Sequence, residues 1–205
     1  MRRTGPRSGW LSPALLLVIA RPANADAHTV VTGTNHFMAG MLHPLTAPAH
    51  VLILLGLGLA IGQHLPLPLR LTLSVFAPFS ALGLALTSTG GISGVHPAVL
   101  AGIALVVGGF VAVGKPLPPL ATGTMLAAGA LAMGLDSGVE TGGAVAIIKT
   151  LLGTWVSLLI LLLNVVHYVS LAAETDKKWL HIGIRVAGSW ITAISVLMLA
   201  FALRK

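Results

Sequence analysis

The chain has 205 residues, 56% hydrophobic and only 8% charged, with a formal net charge of +7 and no cysteine. A soluble domain carries about one quarter charged residues, so this composition, with a mean hydropathy of +0.95, excludes a soluble enzyme and places the chain in a lipid bilayer. Without cysteine there is no disulfide framework, thiolate metal centre or thiol catalysis, and any metal must be held by His, Asp, Glu, Met or backbone oxygen.

Residues 1–27 read as a secretory signal peptide: Arg2, Arg3 and Arg7 precede a short apolar stretch, and Ala25-Asp26-Ala27 is a small-x-small cleavage site. Cleavage leaves His28 as the new N-terminus. The rest, 28–205, reads as one polytopic membrane domain. The expected fold class is therefore an all-α membrane protein, a bundle of about six transmembrane helices of ~20 residues each. The spans are expected near 39–62, 71–89, 96–113, 119–135, 144–172 and 183–203, separated by Pro- and Gly-rich loops.

The first span opens with His36, His43 and His50, each seven residues after the last, with Pro44 and Pro48 between the final two. On a continuous helix the three imidazoles share a face, but the prolines suit a broken or starting turn. Imidazole at the mouth of an apolar span is costly unless it pairs, meets water or holds a metal.

Loop charges set the orientation. With the mature N-terminus outside, Arg70, Lys115, Lys177, Lys178 and Arg185 fall in cytoplasmic loops, while the loops after the second and fourth spans carry no Lys or Arg. The net positive charge thus reads as topogenic, and nucleic acid is not an expected partner. His28, His36, His43, His50, His96, Asp136 and Glu140 then converge on the outer face. His64 and His181 lie on the inner face and His167 in the inner part of the fifth span. Glycines such as Gly56, Gly58, Gly62, Gly102, Gly108, Gly109, Gly123, Gly129 and Gly134 stripe the spans and suit close helix packing.

The outer set suits a metal ion. Imidazole favours nickel, zinc, copper and cobalt, with His43, His50 and His96 as nitrogen ligands and Asp136 and Glu140 adding oxygen. His36 and His28 form a capture arm, and Lys149 is placed to pair with Asp136 or Glu140 when no ion is bound. The competing reading is interfacial histidines that hydrogen-bond backbone freed by the prolines. Two other readings are weaker. Gly91-Ile92-Ser93-Gly94 has the GxSG form of rhomboid proteases, with His167 offered as base. Haem ligation needs paired histidines in mid-membrane, and these cluster near the faces.

The stretch GMLHPLTAPAHVLILLGLGLAIGQ resembles the first span of the HupE/UreJ family of hydrogenase- and urease-associated nickel permeases. The family motif there is His-Pro-x-x-Gly-x-Asp-His; His43, Pro44 and His50 match it, while Ala47 and Ala49 replace the glycine and the acid. The later family motif His-Gly-x-x-His-Gly-x-Glu falls on MGLDSGVE. Gly134, Gly138 and Glu140 match there, Met133 and Ser137 stand at the histidines, and Asp136 adds an acid between them. RVAGSWITAISVLMLAFAL resembles the last span, and His167 corresponds to a fifth-span histidine.

The resemblance implies a secondary, ATP-independent permease in the bacterial inner membrane, not an enzyme. It implies no permanently bound cofactor and a transported divalent ion, nickel or cobalt. Met133 shifts the choice towards copper, and zinc stays open. The ion would pass from His43 and His50 along a small-residue seam to Met133 and His167. A non-transporting accessory subunit of a metalloenzyme system is the alternative. A homo-oligomer and metalloenzyme-maturation partners are both compatible with it.

Overall fold

The computed structural model describes residues 35–89, 94–139, 143–175 and 177–204. The expected signal peptide, His28, Ser93 and Glu140 lie outside the described residues. Within them the chain is all-helical: α1 (His36–Thr46), α2 (Pro48–Gly62), α3 (Leu69–Ser88), α4 (Pro97–Val113), α5 (Pro119–Leu135), α6 (Ala144–Ala173) and α7 (Lys178–Leu203). Three of these, α3, α6 and α7, are long and apolar enough to cross a membrane. The pair α1–α2 makes a fourth candidate if counted as one span, and α4 and α5 are shorter apolar helices of 17 residues each.

Local chemistry sets most helix ends. Pro48, Pro97 and Pro119 open α2, α4 and α5, where a missing N–H costs nothing because the first turn has no intrahelical acceptor for it. Asn35 caps α1 by accepting from the Met38 N–H. Gly114, at φ 68°, ends α4 in the left-handed conformation that glycine adopts without strain.

The first expected span, 39–62, is not one helix. It bends by 74° at Ala47, whose φ −93° and ψ 106° are extended. The cause is Pro48, whose ring disfavours helical backbone in the residue before it. Pro44 lies inside α1 and removes the donor that would have bonded the Gly40 carbonyl, four residues back. A neighbouring helix supplies the replacement: Thr154 Oγ1 of α6 donates to the Gly40 carbonyl at 3.1 Å, and Ser157 Oγ donates to the Met41 carbonyl at 2.7 Å.

The same contact is sterically tight. A Cβ on Gly40 would run into the Thr150 carbonyl, and one on Gly153 into the Phe37 carbonyl. The two backbones touch only because both positions lack side chains.

α2 is apolar all round and buried along nearly its whole length, as expected of a central helix. It contacts α1, α4, α5, α6 and α7. Around it α4 packs on α7, α3 on α5 and α1 on α6. Gly56 and Gly58 receive Val107 and Val165, while Gly108 receives Ile191. Gly102 and Gly109 face open space, so the glycine stripe is a packing seam only in part. Leucines, isoleucines and aromatics of α7 face outward, among them Trp190, Ile194, Leu197 and Phe201, which suits a lipid-facing surface.

Candidate metal-binding site

The break at Ala47 puts His50 in the first turn of α2, where it is fully buried (0% exposed). His43, in the last turn of α1, meets it ring to edge, with centroids 5.5 Å apart. The bend therefore brings together two imidazoles that a straight helix would hold about 10 Å apart along its axis.

Asp136 completes the group. It is the C-cap of α5, where its charge opposes the helix dipole, so it needs donors from elsewhere. Two are present. His50 Nε2 lies 3.0 Å from Asp136 Oδ2, and the Val95 N–H donates to Oδ1 at 3.4 Å. The Val95 contact rests on the turn at Gly94, whose φ of 81° suits glycine. Asp136 is held at that height by the close approach of α5 to α3, where a Cβ on Gly134 would meet the Ser80 carbonyl at 2.5 Å.

A carboxylate accepts and does not donate, so the His50 proton sits on Nε2. In the neutral ring that leaves Nδ1 with a lone pair. Nδ1 is buried and has no hydrogen-bond partner among the described residues. An imidazole whose one nitrogen donates to a carboxylate while the other offers its lone pair is the usual arrangement of a metal-ligating histidine.

The remaining expected residues separate. His96 caps α4, its exposed ring accepting from the Ala98 N–H through Nδ1. It follows Val95 directly and so adjoins the Asp136 contact. His36 is the exposed first residue of α1. Met133 is fully buried in the core, and Ser137 donates to the Met133 carbonyl at 2.7 Å, so both positions aligned with family histidines are spent on packing within α5. His167 lies on the exposed face of α6, its ring against Tyr168. Lys149 is exposed on α6 and has no ion pair among the described residues; Asp136 pairs with His50. Between the His43–His50 corner and the opposite end of α2, the interior is filled by Ile53, Leu57, Leu126, Leu158 and Leu162, all buried to 2% exposure or less.

Among the described residues no three His, Asp or Glu side chains are grouped so as to hold a metal ion on their own. His50 is nevertheless linked to both others, meeting His43 ring to edge on one side and Asp136 on the other. Sequence reasoning placed Asp136 in the set as a ligand but missed its bond to His50 and the part of Val95. It also missed Thr154 and Ser157, although Gly40, four residues before Pro44, signals a carbonyl in need of a donor.

A helical bundle with a buried imidazole, His50, at a helix break defines the class. A family model described as HupE / UreJ protein matches residues 15–198, most of the chain, and the chain belongs to that family. No curated protein and no solved structure matches it.

Proposed function

We propose that this chain is a secondary permease for a divalent transition metal ion, nickel or cobalt, and not an enzyme. The observation that carries the reading is His50: Nε2 is tied to Asp136, and Nδ1 is buried with no hydrogen-bond partner among the described residues. A buried acceptor without a partner costs about 1–3 kcal/mol, and an incoming cation removes that cost. His43 stands against His50 as a second nitrogen ligand. Asp136 then orients His50 and balances charge in place of the acid missing at Ala49. His96 and His36 remain candidates for capture, as do Glu140 and His28, which lie outside the described residues.

The packed interior supports an occluded resting state, so passage requires rearrangement. The bend at Ala47 is the natural place for it, since α1 can shift against α2 without breaking either helix. With Arg70, Lys115, Lys177, Lys178 and Arg185 at the opposite end, and Lys149, Arg204 and Lys205 as exceptions, the positive-inside rule points the histidine end outward and the direction of transport inward. Copper and zinc remain within reach of a nitrogen–oxygen site.

The test is uptake. Cells expressing the chain accumulate labelled nickel or cobalt, and His50→Ala abolishes it. Unchanged uptake in His50→Ala overturns the site. The absence of a three-ligand group among the described residues favours a second reading, a membrane accessory subunit of a metalloenzyme system. Equal uptake with and without the protein, together with co-purifying soluble partners, would establish that one instead.

A further inference from the structure

A second polar site lies at the other end of α2. His64 lies just past the end of α2, twelve helical residues and a turn beyond His50, about 20 Å away. There a cavity of about 210 Å³ opens between the ends of α2, α4 and α7, lined by Gln63, His64, Gly114, His181, Ile184 and Arg185. It holds far more than one water.

His181 and Arg185, four residues apart, share a face in the first two turns of α7. Arg185 lies across the end of α4, and its Nε donates to the Ala112 carbonyl at 3.0 Å. Gly114 makes this passage: a Cβ there would come within 3.0 Å of Arg185 Cδ. The guanidinium is thereby fixed by one bond, and its two terminal nitrogens have no partner among the described residues. His181 Nε2 lies 3.2 Å from the Thr175 carbonyl. His64 Nε2 is buried and has no hydrogen-bond partner among the described residues. Burial pushes the His64 imidazole below its ordinary pKa, opposed by a hydrogen bond with the Lys115 backbone. A negative charge beside it would reverse that shift.

The lining offers one guanidinium, two imidazoles and an amide, and no carboxylate. A divalent cation would meet an uncompensated positive charge. A tetrahedral oxyanion would meet the geometry that a guanidinium binds with two parallel bonds. Lys115, Lys177, Lys178 and Arg70 sit at the same end of the bundle and add to the attraction. Trp179, 66% exposed in the first turn of α7, is placed like an interfacial aromatic, which sets the cavity at the depth of lipid headgroups.

We propose that this pocket binds a phosphate-class anion, through Arg185, His64 and His181, at the membrane surface. The chemistry is shared by an anionic lipid headgroup and by free phosphate, and it is independent of the metal site.

The test uses the purified full-length chain in a neutral detergent. The probes are dioctanoyl phosphatidylglycerol, dioctanoyl phosphatidylcholine and inorganic phosphate, read by native mass spectrometry and by titration. Saturable binding of phosphatidylglycerol, of phosphate or of both is expected, weakened at least tenfold by Arg185→Gln and by His64→Gln. Arg204→Gln, at the far end of α7, binds as wild type. Phosphatidylglycerol alone identifies a headgroup site; competition by phosphate identifies a free-anion site. Should Arg185→Gln fail to fold, His64→Gln decides. Absence of binding overturns the proposal. So does wild-type affinity in a folded His64→Gln, or equal binding of phosphatidylcholine.

Discussion

Asp136 and His50 are 86 residues apart in sequence and 3.0 Å apart in space, carboxylate to imidazole. The acid that the family motif places next to the histidine in sequence is here delivered from another helix. Ala49, which occupies the motif position, is itself buried, and Asp136 reaches His50 from the C-cap of α5.

Removing that carboxylate tests its role. In Asp136→Ala, nickel or cobalt uptake falls about 10–100-fold, as for loss of an acid that orients a ligating histidine. Thermal unfolding in detergent shows a loss of about 1–3 kcal/mol, because the buried Nε2–H of His50 is left without an acceptor. Full uptake in this variant would reduce Asp136 to a cap.

Restoring the motif acid should compensate. Ala49→Asp in the Asp136→Ala background recovers uptake to within about tenfold of wild type, the range over which such orienting acids act. The same substitution in the wild-type chain places a second carboxylate beside one imidazole and lowers the melting temperature. Uptake that stays at the single-variant level would show that the position of the acid matters as much as its presence.

The clasp between α1 and α6 is open to a packing test. Gly153→Ala forces a Cβ into the Phe37 carbonyl and costs about 1–3 kcal/mol. Thr154→Val removes the donor to Gly40 and costs about 0.6–1.7 kcal/mol, the range found for hydrogen bonds between membrane helices. Both are read by unfolding in mixed micelles. Gly153→Ala also slows uptake, because it displaces the helix that carries His43.

His64 makes stability depend on pH in a defined direction. Its folded pKa is lowered by burial from the ordinary 6.5. The folded state therefore binds fewer protons than the unfolded state between the two values. The stabilisation is complete above pH 6.5 and is lost as pH falls towards the folded value. The melting temperature of the wild type should drop between pH 7.5 and pH 5.5 by more than that of His64→Gln. Parallel pH profiles for the two proteins would remove His64 as the cause.

Helices were the legible part of the sequence. The helices α2 to α6 open at or just after Pro or Gly, and Pro97 and Pro119 mark starts within a residue or so. The family was also legible, from His43, Pro44 and His50. Pro48 warned of a break, but the 74° angle depends on how α1 docks against α6, and that rests on Gly40 meeting Thr150 across more than 100 residues. The facing of His167 was not legible. On α6 the hydroxyls of Thr154 and Ser157 turn inward against α1, so polarity does not mark the outer face, and the imidazole proved to be exposed. His96 illustrates the opposite case: a residue directly before a proline-initiated helix is a natural cap, and the ring serves as one.

The 17-residue lengths of α4 and α5 bear on the solvent as well as on the fold. Such helices rise ~25 Å, against ~30 Å for the hydrocarbon of a typical bilayer. If both cross the bilayer, as the six-span expectation has it, the lipid alongside them thins, at a cost of fractions of a kcal/mol for each Å. A given transmembrane voltage then falls over a shorter path on that flank, and the local electric field is steeper there than across the surrounding bilayer. Acyl-chain length thus becomes a control variable, with short-chain vesicles relieving the elastic stress that long-chain ones impose.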